Sequence, residues 1–332
     1  PTMRIAHISD IHILHLEGVR PWRYLGKRLT GGANLLLHRY KAHSADAVRR
    51  AFTQIQADGA DHTVITGDIS NLALESEFAE ARRIIEECAG DGSQVSVIPG
   101  NHDYYTWNAA RTRRFERFFA PWMRSDLPEH TADGIYPYVK LLSDTVALVG
   151  LSTGIVSPPL FAVGKVGGPQ RAALAKLLDH PELQARFVIV ALHHNLFPPR
   201  YPKSPRKEWL RRLIDADEVM TTLRQGRVRL VLHGHTHQFG FSSHPHMEGD
   251  ELLHVSETGS TSTIAYNDPH YGGKYALYDI EEEPNLGCPR LTHLTTRLYQ
   301  GSDQGFTTWH ERSFDDTTPS AVPFDLDQDP NA

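Results

Sequence analysis

The sequence contains little cysteine and no long apolar run. Its 332 residues include two cysteines, Cys88 and Cys288, which excludes a fold held together by several disulfides. Neither cysteine has a partner at CxxC spacing, so a structural zinc site of that kind is also excluded. No apolar run approaches the roughly 20 residues that a membrane-spanning helix needs. The remaining composition, 40% hydrophobic and 22% charged, is typical of a globular protein with a substantial core.

The N-terminal sequence predicts no secretory leader. PTMRIAHISD runs directly into a metal-binding pattern at Asp10, whereas a signal peptide needs a charged region followed by an apolar stretch of about 7–15 residues. We therefore expect a cytoplasmic protein, unless processing has already removed a leader.

Acidic residues are absent from Gly18 to Ala45, although the formal net charge of the chain is −6. The basic residues of this stretch are Arg20, Arg23, Lys27, Arg28, Arg39 and Lys41. Net charge alone predicts no anionic partner, but this local excess of positive charge does.

Short apolar runs alternate with helical patterns over the first two thirds of the chain. The predicted strands are MRIAHIS, HTVIT, QVSVI, TVALVGLS, FVIVAL and VRLVLHG. Ser44 is the expected N-cap of a helix in ADAVRRAFTQIQADG, and ESEFAEARRIIEECAG is a second helical pattern. This alternation predicts an α/β fold in which helices cover a sheet. In such folds the functional site collects at the carboxyl ends of the strands.

Beyond His237 the pattern changes to successive strands. ELLHVSE, KYALYDIE, RLTHLTTRLY and GFTTWHERSF are separated by glycine, asparagine and proline turns. We predict a single domain over residues 1–314, in which the strands within 250–312 complete a second sheet. Residues 18–43 are a basic and apolar insertion, and residues 315–332, rich in proline and aspartate, are expected to be a loosely held acidic tail.

Metal-binding side chains follow the predicted strands in a fixed order. They are Asp10 and His12 in ISDIH, Asp68 in TGDIS, Asn101 in PGNHD, His193 in ALHHN, and His235 and His237 in HGHTH. Carboxylates and imidazoles together suit two divalent cations that clamp a phosphate and ionise a water. Each motif alone is more often a turn or a helix cap. The complete ordered set predicts a dinuclear phosphohydrolase, with Asp68 as the bridging carboxylate.

The order D-x-H, G-D, G-N-H-D, a later histidine and G-H-x-H, over residues 8–237, resembles the calcineurin-like metallophosphoesterase superfamily. The resemblance implies a four-layer α/β/β/α sandwich with two mixed β-sheets flanked by helices. It implies that one cation binds Asp10, His12, Asp68 and His237, and that the other binds Asp68, Asn101, His193 and His235. It also implies that His102 protonates the leaving oxygen or orients the phosphate, with Asp103 behind it.

The fifth motif departs from the family pattern. Many relatives have H-x-P there, whereas this chain has Leu192-His193-His194-Asn195. Aligning the first histidine with the ligand gives His193, but the sequence leaves His194 open. The identity of the cations is also open, because oxygen and imidazole ligands accept Mn, Fe, Zn, Ni or Co.

Three basic segments each follow a metal-binding motif, and they bear on the substrate. They are VRPWRYLGKRLTGGANLLLHRYK, ARTRRFERFF and RYPKSPRKEWLRR. The first mixes cations with Trp22, Tyr24 and several leucines, which suits a membrane surface or a lipid phosphate; the alternative is a cap that packs on the core. It resembles inserts of bacterial family members that act on phosphorylated lipids, some UDP-diacylglucosamine pyrophosphatases among them. A cyclic-nucleotide or glycerophosphodiester phosphodiesterase is an equally reasonable member of the superfamily.

The leading hypothesis is therefore hydrolysis of a phosphodiester or pyrophosphate bond in a small molecule or lipid, with two divalent cations, Mn, Fe or Zn. One alternative is a nuclease, although the sequence gives no strong nucleic-acid signal because stacked aromatic and basic residues on strands are missing. The other alternative is a membrane-binding protein that contacts the inner face of the membrane through residues 18–43 and carries a vestigial metal site.

Overall fold

The computed structural model describes residues 2–16, 43–89, 93–199, 204–249, 251–264, 269–282 and 288–314. The predicted insertion, apart from His43, and the predicted tail at 315–332 lie outside these residues. Both cysteines are free thiols. None of the described helices has the length and apolar character needed to cross a membrane.

Twelve strands lie within the described residues. They are β1 (Thr2–Ile8), β2 (His62–Thr66), β3 (Val95–Ile98), β4 (Tyr138–Leu141), β5 (Val146–Gly150), β6 (Phe187–Ala191), β7 (Leu230–His233), β8 (Gly240–Pro245), β9 (Leu252–Glu257), β10 (Lys274–Glu282), β11 (Pro289–Tyr299) and β12 (Phe306–Ser313). The α-helices in the same residues are α1 (Ala45–Ala57), α2 (Glu75–Ala89), α3 (Trp107–Arg111), α4 (Arg114–Phe119), α5 (Gly168–Leu178), α6 (Pro181–Gln184), α7 (Pro205–Trp209) and α8 (Ala216–Gln225).

The strands form two mixed six-stranded sheets. The first sheet has the order β12-β11-β10-β1-β2-β3, and the second has the order β4-β5-β6-β7-β9-β8. Parallel pairing runs through β1, β2 and β3 in the first sheet and through β5, β6, β7 and β9 in the second. The predicted α/β fold with two mixed sheets flanked by helices is confirmed.

Alternating residues of β5 show how the layers pack. Val146 and Leu148 join the core that contains Ile5 and Ile8 of the first sheet. Ala147 and Val149 point to the opposite face and join a second core, built with residues of α5 and α8. The alternation follows from the two-residue period of a strand, so the second sheet is covered by the first sheet on one face and by helices on the other.

Helix α1 begins where the sequence predicts. The backbone N–H of Ala47 donates to the Ser44 hydroxyl over 3.3 Å, which satisfies one of the amides that the first helical turn leaves unpaired. Its buried residues include Val48, Phe52 and Ile55, a spacing that forms one apolar face. The Ser44 cap therefore fixes the residue at which the helix begins.

The C-terminal strands correct part of the prediction. Strand β9 pairs with β7 in the second sheet, as expected. Strands β10, β11 and β12 instead extend the first sheet, because β10 pairs antiparallel with β1 and aligns Ile5 with Tyr278. Without β10, the amides of β1 would form an open edge inside the molecule, where unpaired backbone groups are costly. The prediction that residues 250–312 complete the second sheet is right for β9 and wrong for β10–β12.

Buried neutral histidines should make the fold sensitive to acid, and His62 on β2 gives the clearest case. Burial, reinforced by the charge of Lys140, lowers the pKa of His62 to about 3, and its ring contacts the Ser96 hydroxyl over 2.8 Å. In the unfolded chain, His62 takes up a proton near pH 6.5. The contribution of the neutral, buried His62 to the free energy of unfolding is therefore complete above that pH and declines as the pH falls.

We expect His62→Gln to reduce the loss of unfolding free energy between pH 7 and pH 5 by up to about 1.4 kcal/mol per pH unit. Urea unfolding at the two pH values measures it. The exposed His293→Gln, which removes an imidazole from the surface, is the control. Equal pH dependence in the His62 variant and the wild type would contradict the expectation.

Candidate metal centre

The predicted metal ligands converge at the carboxyl ends of five strands. Asp10 and His12 follow β1, Asp68 follows β2, Asn101 follows β3, His193 follows β6, and His235 and His237 follow β7. The described residues contain three groups of possible ligands, and within each group the ligand atoms lie within 4.8 Å of one another. The groups are Asp10, His12 and Asp68; Asp68, His193 and His235; and His12, His43 and His237. The side chain that the first two groups share is the Asp68 carboxylate.

Several of these residues have left-handed backbone conformations. The φ values are +50° at Asp10, +43° at His12, +49° at Asp68, +82° at His235 and +63° at His237. Such values are uncommon outside glycine and persist only where the surroundings impose them. One such constraint is the hydrogen bond from the His12 amide to the Asp68 carbonyl, 3.0 Å long. Strain of this kind, concentrated at one place, is typical of functional sites.

The first cluster brings a buried carboxylate against two imidazoles. Asp10 Oδ1 lies 3.2 Å from His237 Nε2 and 3.8 Å from His12 Nε2, and the two imidazole nitrogens are 3.2 Å apart. Among the described residues Asp10 Oδ1 has no hydrogen-bond donor of good geometry, although it is fully buried. A buried acceptor without a donor is costly. One carboxylate oxygen and two imidazole nitrogens at this spacing fit a divalent cation.

The second cluster has the same chemistry. His193 Nε2 lies 3.5 Å from Asp68 Oδ2, 3.3 Å from Asn101 Oδ1 and 3.3 Å from His235 Nδ1. Each of the two histidine rings is held by a hydrogen bond on the side away from the cluster. His193 Nδ1 donates to the Thr66 carbonyl over 2.7 Å, and His235 Nε2 donates to the Arg211 carbonyl over 2.9 Å. These bonds direct the other ring nitrogens into the cluster, the arrangement expected of metal-binding histidines.

The two adjacent histidines of the fifth motif have different environments. His194 contacts the Thr153 hydroxyl through Nδ1 over 2.7 Å and the Ala162 carbonyl through Nε2 over 3.1 Å, so both of its nitrogens face away from the cluster. Burial lowers the pKa of His194 to about 3. Burial also acts on His193, but the carboxylates, Asp68 above all, raise its pKa to about 9. The structure thus brings His193, and not His194, into the cluster.

The histidines near Asp68 determine the pKa of its carboxyl group. Burial by itself raises the pKa of Asp68, but the neighbouring His193 and His102 rings hold it well below its usual range. A carboxylate that stays ionised while buried is an anion that needs a positive partner. A cation supplies that partner more completely than an imidazole does.

His102 lies at the open side of the cluster. Its side chain is 17% exposed, and Nε2 is 4.0 Å from Asp68 Oδ2. Nδ1 donates to the Asn71 carbonyl over 2.7 Å, and the ring stacks on Tyr105 with centroids 5.7 Å apart. The ring is therefore held in a fixed orientation while Nε2 faces the site.

The Asp103 carboxylate contacts backbone amides instead of the His102 ring. It accepts four hydrogen bonds of 2.9–3.2 Å, from Ile69 N, Ser70 N, Ser70 Oγ and Gly100 N. These donors lie in the loops after β2 and β3. Asp103 therefore ties together the two loops that carry Asp68 and Asn101.

The sequence patterns do not identify the buried segment Thr258–Thr263, with the sequence TGSTST, as part of the site. Ser260 and Ser262 donate their hydroxyls to the Asp10 carbonyl over 2.7 and 3.1 Å, and the Thr261 amide donates to the Ser9 carbonyl over 2.9 Å. The segment therefore fixes the loop after β1 that carries Asp10. The available signal was a run of small hydroxyl residues directly after a strand.

Described arginines of the second and third basic segments make contacts within the fold. Arg113 pairs with Asp133, and the buried Arg114 pairs with Glu75, so these cations of the second segment are engaged within the fold. In the third segment, the Arg211 guanidinium donates to the His235 carbonyl over 2.8 Å. The first segment lies outside the described residues.

Gly234 gives a direct test of how tightly the loops must approach. A Cβ at this position would collide with Ser9 Oγ and Asp10 Oδ2. We expect Gly234→Ala to displace the Asp10 carboxylate and to weaken cation binding by roughly 10–100-fold, as loss of a supporting contact does elsewhere. Calorimetric titration with Mn²⁺ measures the affinity. Gly168→Ala is the matched control, because a Cβ there meets nothing within 4 Å; equal affinities of the two variants would contradict the close approach.

Comparison with known proteins agrees with this geometry. The sequence profile of the family described as calcineurin-like phosphoesterase matches residues 3–239. The fold is similar to that of purple acid phosphatase PPD1 from yellow lupin (Lupinus luteus) seeds, with a TM-score of 0.58, 11% identity, and coverage of 94% of this chain and 53% of that one. The chain thus spans about half the length of the lupin protein, and at this identity the likeness concerns the fold alone.

Weaker structural similarity extends to two further proteins. One is GAP50, the anchor in the inner membrane complex of Plasmodium, with a TM-score of 0.45, 10% identity, and coverage of 96% of this chain and 90% of that one. The other is the E. coli phosphoesterase YfcE, with a TM-score of 0.35, 12% identity, and coverage of 94% and 100%. No curated protein sequence matches the chain.

Proposed function

The chain belongs to the calcineurin-like phosphoesterase family, and on that premise we propose that it hydrolyses a phosphodiester or pyrophosphate bond of a small molecule or lipid with the help of two divalent cations. Family membership supports metal-dependent phosphoester hydrolysis in general. The observation that carries the proposal is the Asp68 carboxylate, which belongs to two separate groups of possible ligands.

The proposed ligand sets follow the two clusters. One cation would be held by Asp10, His12, Asp68 and His237, and the other by Asp68, Asn101, His193 and His235. When bound, the cations, proposed to be Mn, Fe or Zn, would ionise a water molecule and neutralise the phosphate. Two observations support these assignments. Asp10 Oδ1 is buried without a hydrogen-bond donor of good geometry among the described residues, and the His193 and His235 rings are each held by a hydrogen bond to a backbone carbonyl.

His102 is proposed to deliver a proton to the leaving oxygen. Its Nδ1 is hydrogen-bonded to a carbonyl, which can only accept, so Nδ1 keeps its hydrogen. Nε2 therefore carries a proton that can be donated when the ring is an imidazolium. Donation from Nε2 leaves a neutral ring that stays in place through Asn71. A histidine in this position meets the geometric needs of a general acid.

Asp103 is proposed to position the site without touching the substrate. Its four hydrogen bonds set the spacing between the loops of Asp68 and Asn101. This refines the role that the family resemblance implies, because the carboxylate acts through backbone amides and not through the His102 ring.

Exposed apolar side chains near the site support a substrate with an apolar part. Trp209 is 54% exposed and Leu160 is 86% exposed. Trp209 lies two residues before Arg211, which contacts His235, and it packs against Phe161 with ring centroids 6.1 Å apart. Large exposed apolar residues at one rim are typical of a surface that meets lipid or another apolar group.

Metal removal and reconstitution tests the proposal. The stripped protein is reloaded with Mn²⁺, Fe²⁺ or Zn²⁺, and hydrolysis of a chromogenic phosphodiester is compared with that of the matching monoester. We expect at least one cation to restore diester cleavage and the monoester to be the poorer substrate. Hydrolysis of the monoester alone would contradict the diester assignment, and no hydrolysis of either compound by protein with two bound cations would contradict the enzyme assignment.

A further inference from the structure

A third histidine stands beside the first cluster. A ring nitrogen of His43 lies within 4.8 Å of ring nitrogens of His12 and His237. The His43 ring is 4.8 Å from the His12 ring and 6.0 Å from the His237 ring, measured between centroids. None of the sequence motifs includes His43, which precedes helix α1 and borders the predicted insertion.

His43 is held in place by the same segment that supports Asp10. Its Nδ1 contacts the Ser262 hydroxyl over 2.8 Å, and Ser262 also contacts the Asp10 carbonyl. The backbone of His43 forms an isolated antiparallel bridge with Thr263, and the Ser44 amide donates to the Ser262 carbonyl over 2.8 Å. The position of His43 relative to Asp10 is therefore fixed by both backbone and side-chain contacts.

The spacing of the three histidines fits a shared cation. Nitrogen ligands bind such ions at about 2.1 Å, so two ligands of one ion lie no more than about 4.2 Å apart. The nitrogens of His12 and His237 already meet this limit at 3.2 Å. The possible ligand atoms of the whole trio lie within 4.8 Å of one another, which places His43 within a side-chain adjustment of the same ion. A histidine whose Nδ1 is engaged by an outer partner binds metal through Nε2, the usual arrangement.

We propose that His43 is a further ligand of the cation held by Asp10, His12 and His237. This inference rests on the proposed function, since it adds a residue to one of its two metal sites. It joins the insertion to the metal centre, because the ligand is the residue at which the insertion ends. One cation would then have more protein ligands than the other and fewer positions for water or substrate.

Titration of metal-free protein with Co²⁺ tests the inference, with cation affinity and the visible absorption of Co²⁺ as readouts. We expect His43→Gln to weaken one of the two cation affinities by at least roughly 10–100-fold and to change the absorption of that ion alone. His43→Glu, which supplies a carboxylate, should restore part of the affinity. The exposed His293→Gln is the matched control and should behave as the wild type.

The outcomes separate this inference from the proposed function. The inference is supported if the wild-type protein binds two Co²⁺ ions and His43→Gln selectively loses the affinity for one of them. Unchanged affinities and spectra in that variant, with an altered KM for a diester, would overturn it and make His43 a substrate contact. A wild-type protein that binds fewer than two Co²⁺ ions would instead overturn the dinuclear centre itself. Urea unfolding of the metal-free variants identifies any general loss of folding.

Discussion

Asp68→Asn is expected to abolish hydrolysis and to weaken the binding of both cations. Asp68 is the side chain that two groups of possible ligands share, and it is buried as a carboxylate. Asparagine keeps the shape and one oxygen, so the hydrogen bond from the His102 amide to Oδ1 is retained. The lost charge and the lost second oxygen should reduce each affinity by at least the roughly 10–100-fold that removal of an outer partner costs.

Calorimetric titration of stripped protein and steady-state kinetics with a phosphodiester measure both effects. Asp279→Asn is a suitable control, because Asp279 is a mostly buried aspartate that pairs with Arg4 far from the site. That variant should bind both cations as the wild type does. If Asp68→Asn loses one cation and binds the other with unchanged affinity, Asp68 is a ligand of a single ion and the bridge is wrong.

His102→Ala is expected to lower kcat by roughly 10²–10⁴-fold, the usual contribution of a general acid, while both cations stay bound. The variant keeps the backbone N–H that donates to Asp68, so the second cluster should remain intact. Calorimetry of the variant should therefore give wild-type cation affinities, in contrast to Asp68→Asn.

The leaving group distinguishes proton donation from phosphate orientation. A nitrophenolate leaves without protonation, whereas an alkoxide needs a proton, so the loss of kcat in His102→Ala should be much smaller for the nitrophenyl diester. Kinetics with matched nitrophenyl and alkyl diesters give this comparison. An equal loss for both substrates would show that His102 orients the phosphate and donates no proton.

The features that the sequence predicts well are those encoded locally. An apolar run followed directly by a metal-binding residue identifies a strand and the loop at its end at the same time, as at Asp10 and Asp68. The parallel pairing of these strands then brings their loops together without further information. For this reason the α/β fold and the convergence of the seven proposed ligands could be predicted.

The features that the sequence could not predict depend on distant partners. Strand β10 pairs with β1, although almost the whole chain separates them in sequence. Local sequence patterns do not predict which strand pairs with which over such a distance. His193 and His194 are equivalent by type, and the contacts of His194 with Thr153 and Ala162 distinguish them. The Asp103 carboxylate accepts hydrogen bonds from the Ile69, Ser70 and Gly100 amides, and such backbone contacts leave no mark in a sequence motif.

The most direct measurement of the central claim is electron paramagnetic resonance of the wild-type protein loaded with Mn²⁺, together with the number of ions bound per chain. A bridging carboxylate holds two cations about 3.5–4 Å apart, so we expect two ions per chain and a spectrum of magnetically coupled Mn²⁺. A single bound ion, or two ions with the spectrum of isolated Mn²⁺, would contradict a dinuclear centre that shares Asp68.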